Sequence, residues 1–139
     1  MSISKRNAEG YSDPTAYEAL LRAWAEDKRR AFRPLVFICS PYAGDTESHV
    51  QNARRFCRFA VEQNCIPIAP HLLFPQFLDD DKAADRATGL FFSRVLLSKC
   101  AELWVFGEEI SEGMAAEITR AKYKGIPIRQ FDTGCQEVC

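Results

Sequence analysis

The sequence is short of most features that mark a specialised chain. No apolar run approaches the roughly 20 residues that span a bilayer, so no membrane partner is expected. The opening Met1-Ser2-Ile3-Ser4-Lys5-Arg6 has no apolar stretch behind it, so a secretory leader is not expected and a cytoplasmic location is. A surplus of charge of either sign is missing too. The 18 Lys and Arg set against 19 Asp and Glu leave a net charge of −1, which argues against nucleic acid or an anionic membrane as partner. No CxxC pair occurs among the six cysteines, so a zinc site is not expected. Cys39, Cys57, Cys65 and Cys100 sit among apolar neighbours and read as reduced, buried thiols, whereas Cys135 and Cys139 lie in a polar tail. Neither a Walker loop nor a GxGxxG occurs, and there is no repeat or low-complexity stretch. No metal and no cofactor is expected.

What is present is an ordinary globular composition over 139 residues, 47% hydrophobic and 27% charged, enough for one domain with a core. Residues 1–33 read as an N-terminal extension. Asp13-Pro14 opens a helix there, with an acidic N-cap and proline at the first helical position. Tyr17, Leu20, Leu21 and Trp24 form its apolar stripe, and Lys28, Arg29 and Arg30 suit its carboxyl end. The helix is either a docked appendage or an oligomer contact. Residues 34–134 alternate strands and helices, and 135–139 are a tail.

Leu35-Val36-Phe37-Ile38-Cys39 is a continuous apolar run, as in a strand buried on both faces. A helix over 48–64 follows, with Val50, Ala53, Phe56, Cys57, Ala60 and Val61 inward. Ile66-Pro67-Ile68-Ala69-Pro70 reads as an edge strand because of its prolines. A helix from Asp79 to about Lys99, a strand over 102–106, a helix over 111–124 and a strand over 126–131 complete the pattern. Such alternation predicts an α/β chain, a small Rossmann- or flavodoxin-like three-layer sandwich. Its mainly parallel sheet has four or five strands, with 35–39 central.

In such sheets ligands bind at the carboxyl edge, where the strand-to-helix loops emerge. That edge gathers Ser40, Tyr42 and Asp45 from the first loop, His71, Asp79, Asp80 and Arg86 from the second, and Ser111, Gly113 and Glu117 from the third. Ser40 and Ser111 stand at turns that can seat a phosphate on free N–H groups, and Gly113 lets a ligand approach the backbone. Ser111 also reads as a plain N-cap. Met114, Ile118 and Ala121 mark the inward face of the last helix, and Glu117 shares it. A carboxylate there is either a nucleophile or base at a pocket floor, or a structurally paired group. Tyr42 is either its hydrogen-bonding orienter or an aromatic lid. His71 is catalytic, structural or exposed. Asp79 and Asp80 are helix-start signals that can also meet ribose hydroxyls. Arg86 is either solvated or a fork of donors for an anion.

Taken together, Ser40-Pro41-Tyr42, Pro70-His71, Leu78-Asp79-Asp80, Arg86 with Gly89-Leu90, Leu103-Trp104-Val105-Phe106-Gly107 and Ser111-Glu112-Gly113-Met114-Ala115-Ala116-Glu117-Ile118 resemble a bacterial and phage family of unknown function. It is the DUF4406-type group, related to nucleoside 2-deoxyribosyltransferases and deoxynucleoside 5′-monophosphate N-glycosidases. The resemblance covers residues 34–131, and Gly10 to Leu20 is similar to the leader of some members. It implies cleavage or exchange of an N-glycosidic bond in a nucleoside or nucleotide, with Glu117 attacking C1′ and Tyr42 orienting it. Ser40, Ser111 and Arg86 would meet a phosphate. An aspartate expected near position 101 is replaced by Ala101. The resemblance and the spare stripe on the first helix imply a homo-oligomer. A non-catalytic nucleotide-binding sensor or scaffold is the alternative.

Overall fold

The structure, a computed structural model, describes residues 14–29 and 33–138, which divide into two units. The first holds α1 (Pro14–Arg29), on which Leu20, Leu21 and Trp24 are all well exposed and Tyr17 half-buried. Asp13 and Arg30 lie outside the described residues, as does Cys139, and the side chains of Lys28 and Arg29 are not among those described.

The second unit is a five-stranded sheet between two helical layers. Its strands are β1 (Leu35–Cys39), β2 (Ile66–Ile68), β3 (Glu102–Phe106), β4 (Ile128–Phe131) and β5 (Glu137–Val138), in the order β2-β1-β3-β4-β5. The first four are parallel and β5 is antiparallel to β4. β2 lies at an edge, where Pro67 removes no interior ladder bond. β1 is interior but one place off centre, and β3 takes the middle. The displacement comes from the far side of the sheet, where the expected tail supplies β5. Arg129 on β4 clamps that strand with two 2.8 Å hydrogen bonds to the Glu137 carboxylate. A two-residue strand has no periodicity to read, so its pairing is invisible before folding.

Local chemistry sets the helix ends. α2 (Thr46–Glu62) starts two residues ahead of expectation because Asp45 caps it, accepting from Ser48 N at 3.3 Å after Gly44 turns the chain at φ +88°. Its inward face is Ala53, Phe56 and Ala60, whereas Val61, expected inward, is exposed. Proline at N1 turns Pro70 from a strand residue into the start of α3 (Pro70–Leu73), followed by a 3-10 turn over Phe74–Gln76. α4 (Ala83–Ser98) starts later than expected because Asp79–Asp81 form a turn. Asp79 accepts from Asp81 N at 3.0 Å, and Asp85 accepts from Asp79 N at 2.9 Å. α5 (Glu112–Lys124) is capped by Ser111, which accepts from Met114 N at 3.2 Å. It ends at Gly125 in the left-handed region, φ +71°, that a Cβ would disfavour. No helix among the described residues is long and apolar enough to cross a membrane.

Strand alternation gives two cores. Phe37, Cys39, Leu103 and Val105 meet Leu97, Met114 and Ala121 of α4 and α5. Val36, Ile38, Trp104, Phe106 and Phe131 meet Phe56 and Ala60 of α2. On the α2 side Phe106 stacks between Phe56 at 4.2 Å and Phe131 at 5.0 Å. Phe106 is fully buried, so Phe106→Ala should lower the unfolding free energy by about 3–5 kcal/mol in urea titration, with the m-value unchanged.

Candidate functional site

The loops after β1 and β3 meet where the strand order reverses, the switch point at which open α/β sheets bind ligands. Two side chains at the end of β1 diverge there. Cys39 belongs to the α4–α5 core, whereas Ser40 lines a cavity of about 340 Å³ on the α2 side with His49, Asn52, Glu108 and Asp132. The pleat sends successive residues to opposite faces, so what reads as one loop cluster serves two faces.

On the α4–α5 side, Glu117 is half-buried and lines a groove of about 640 Å³ with Gly113, Leu90, Arg94 and Arg120. Burial pushes the Glu117 carboxyl up to about 7, and a hydrogen bond from the Cys39 thiol opposes part of that rise. Cys39 is itself fully buried. Burial, with Glu117 beside it, pushes its thiol far up, so it stays a donor. Its single proton is shared with the Met114 carbonyl, 3.8 Å away. Cys39 thus holds the place expected of Tyr42. Among the described residues Tyr42 makes no hydrogen bond to Glu117. Its ring stands edge-on to His71 at 6.4 Å, and it lines a third cavity with Asp79, Asp80 and Asp85.

Ser40 is buried and hydrogen-bonded to His71, Oγ to Nε2 2.9 Å. Burial lowers the His71 pKa to about 4, so the imidazole is neutral near pH 7. His49 donates from Nδ1 to the Tyr42 carbonyl at 3.2 Å, which pins the first loop to α2. Asp45 and Ser111 are engaged as helix caps, and Arg86 is exposed and lines none of these cavities. The structure therefore joins Ser40, His71 and Tyr42, groups Glu117 with Gly113, and places Asp79 and Asp80 beside Tyr42. Among the described residues no cluster of three His, Cys, Asp or Glu side chains is set to hold a metal ion. The sequence reading missed Cys39, whose signal was its parity with Phe37 on the face that α5 covers. It also missed Arg120, three residues from Glu117 and so on the same side of α5.

A mainly parallel sheet ordered in this way between two helical layers defines a Rossmann-type α/β chain. Residues 34–131 match the model of a domain of unknown function, DUF7768, and the chain belongs to that family. The DUF4406-type label finds no support in this match. Among solved structures, the 2-deoxyribosyltransferase from the psychrotolerant bacterium Bacillus psychrosaccharolyticus is similar. It has a TM-score of 0.57 and 15% identity, over 70% of this chain and 72% of that one. At that identity the likeness speaks for the fold. Comparison with curated proteins gives no match.

His71 and Glu117 pull stability in opposite directions with pH. His71 has its folded pKa lowered, so the folded state binds fewer protons than the unfolded chain and loses stability as pH falls from about 6.5 to 4. Glu117 has its folded pKa raised, so it gains stability as pH falls from about 7 to 4.5. The melting temperature of the native chain should therefore be nearly flat between these limits. Glu117→Gln should unmask the His71 loss as a slope of up to about 1.4 kcal/mol per pH unit, read by calorimetry.

Proposed function

We propose that the chain breaks or exchanges the N-glycosidic bond of a nucleoside or nucleotide, with Glu117 as nucleophile. The observation that carries this is a half-buried carboxyl, held by a thiol donor, opening on a groove large enough for such a substrate. The fold shared with a 2-deoxyribosyltransferase supports it. In this reading a Glu117 oxygen bonds to C1′ as the C1′–N bond breaks. The bonding pair leaves with the base, which takes a proton from water. Water, or a second base, then displaces Glu117 from C1′ and restores the carboxylate. Positive charge gathers on the sugar in both transition states, and a carboxylate in a partly dry groove stabilises it.

The ionised form attacks, so kcat/KM should rise with pH through about 7. Glu117→Gln should abolish release of free base from a panel of 2′-deoxynucleosides and their 5′-monophosphates, followed by chromatography. The loss should be several powers of ten, with the fold retained. Retained turnover removes the nucleophile assignment. Cys39→Ala removes the donor that holds the carboxyl down, so it should move the acid limb upward, whereas Cys39→Ser should not. Tyr42→Phe should leave that limb in place. Self-association belongs to the same reading, and light scattering at micromolar concentration should give a dimer or larger. The separation of Ser40, His71 and Tyr42 from the groove favours one alternative, a nucleotide-binding module without chemistry. That reading takes over if no base is released from any substrate, with or without an acceptor base.

A further inference from the structure

A second pair of reactive side chains lies outside the Glu117 groove. Ser40 stands one residue beyond β1, where the chain turns toward α2, and its hydroxyl is 2.9 Å from His71 Nε2. Burial keeps that imidazole neutral near pH 7, so with its proton on Nδ1 the Nε2 lone pair accepts from the hydroxyl. That is the resting arrangement of a nucleophile and its base. His71 has no carboxylate partner among the described residues, and the edge-on Tyr42 ring stands against it instead. A bond that served packing alone would be closed off, yet Ser40 also lines the α2-side cavity of about 340 Å³. This cavity and the Glu117 groove share no lining residue. Asn52 faces the same space from α2. Its Oδ1 accepts from Arg55 at 3.4 Å, which leaves the amide N–H groups as its free end. An uncommitted amide in the cavity that holds a serine hydroxyl is the kind of donor that meets an oxyanion. Phe56 and Phe106 give the cavity an apolar lining. Glu108, Glu109 and Asp132 add carboxylates, and no lysine or arginine lines it.

We propose that Ser40 is a nucleophile for acyl transfer, with His71 as its general base and the α2-side cavity as the seat of a small, uncharged or cationic carboxylic ester. Ser40 Oγ bonds to the carbonyl carbon as its proton passes to His71 Nε2. The carbonyl π pair moves onto oxygen, and the Asn52 amide donates to the oxyanion that forms. Collapse of the adduct expels the alcohol, which takes the proton from His71. Water then repeats the sequence on the Ser40 ester, releases the acid and restores the hydroxyl. The aromatic lining suits a short acyl chain, and the carboxylates of the cavity oppose an acyl group that carries negative charge. Nothing in this chemistry involves Glu117, and ester hydrolysis is read apart from base release.

The experiment treats the full chain with diisopropyl fluorophosphate, maps the adduct by peptide mass spectrometry, and follows hydrolysis of p-nitrophenyl acetate. The adduct should form on Ser40, and Ser40→Ala should lose both the adduct and the ester turnover, what remains being background from other side chains. His71→Gln should slow labelling and turnover by at least about 100-fold, the contribution of a positioned base. Asn52→Ala should slow turnover by about 100-fold through loss of an oxyanion donor. Asn52 lies on the α2 surface side of the cavity and is only half-buried, so its variant keeps the test valid should His71→Gln fail to fold, as circular dichroism would show. The p-nitrophenyl monoester of succinic acid, anionic at its far end, should turn over at least about tenfold more slowly than the acetate. No adduct on Ser40, or labelling and turnover unchanged in both His71→Gln and Asn52→Ala, overturns the nucleophile and its base. Equal turnover of acetate and succinate overturns the choice of ester.

Discussion

The parallel pairing of β1 with β3 is the constraint on which the rest of this structure hangs. Its register sets Phe37 against Leu103 and Cys39 against Val105, and every one of these residues is buried. Because the strands are covered on both faces, a slip of one residue would send both hydrophobic sets to the wrong layer. The register also decides where β1 stops. Cys39 ends on the α4–α5 face beneath Glu117, and Ser40 ends on the other, against His71. The separation of the two polar clusters is thus a property of the pleat, set before any loop is built.

The sheet was largely legible because its strands are long apolar runs bounded by glycine and proline. Leu35–Cys39 and Glu102–Phe106 cannot be solvated, and the helices between them force parallel pairing. The errors lie where short-range chemistry competes with periodicity. Asp79–Asp81 satisfy one another in a turn before α4 can begin, and Pro70 starts a helix where an apolar run suggested a strand. β5 escaped notice because it is two residues long and its partners, β4 in the ladder and Arg129 at its side chain, lie on another strand.

The candidate site was half legible. Placing Glu117 on the inward stripe of α5 needs only helical spacing, and its perturbed carboxyl follows from that position. Which residue would hold it was not legible. The winding rule collects loops at one edge of a sheet but says nothing of faces: Cys39 reaches Glu117 from the α4–α5 core, and the Tyr42 ring stands against His71 instead. The unpaired Arg120 was also beyond reach. Its neighbour Glu117 reads as a partner in sequence, and only the packing against Tyr123 shows that it turns away.

The opposed shifts of His71 and Glu117 make folding a relocation of charge. Between about pH 4.5 and 6.5 the unfolded chain carries a proton on the imidazole, and the folded chain carries one on the carboxyl. The number bound by this pair is the same in both states, so no proton is exchanged with the medium on their account. The heat of unfolding in that window is therefore insensitive, through these two groups, to the ionisation enthalpy of the buffer. It contains instead the heat of moving a proton from oxygen to nitrogen within one molecule.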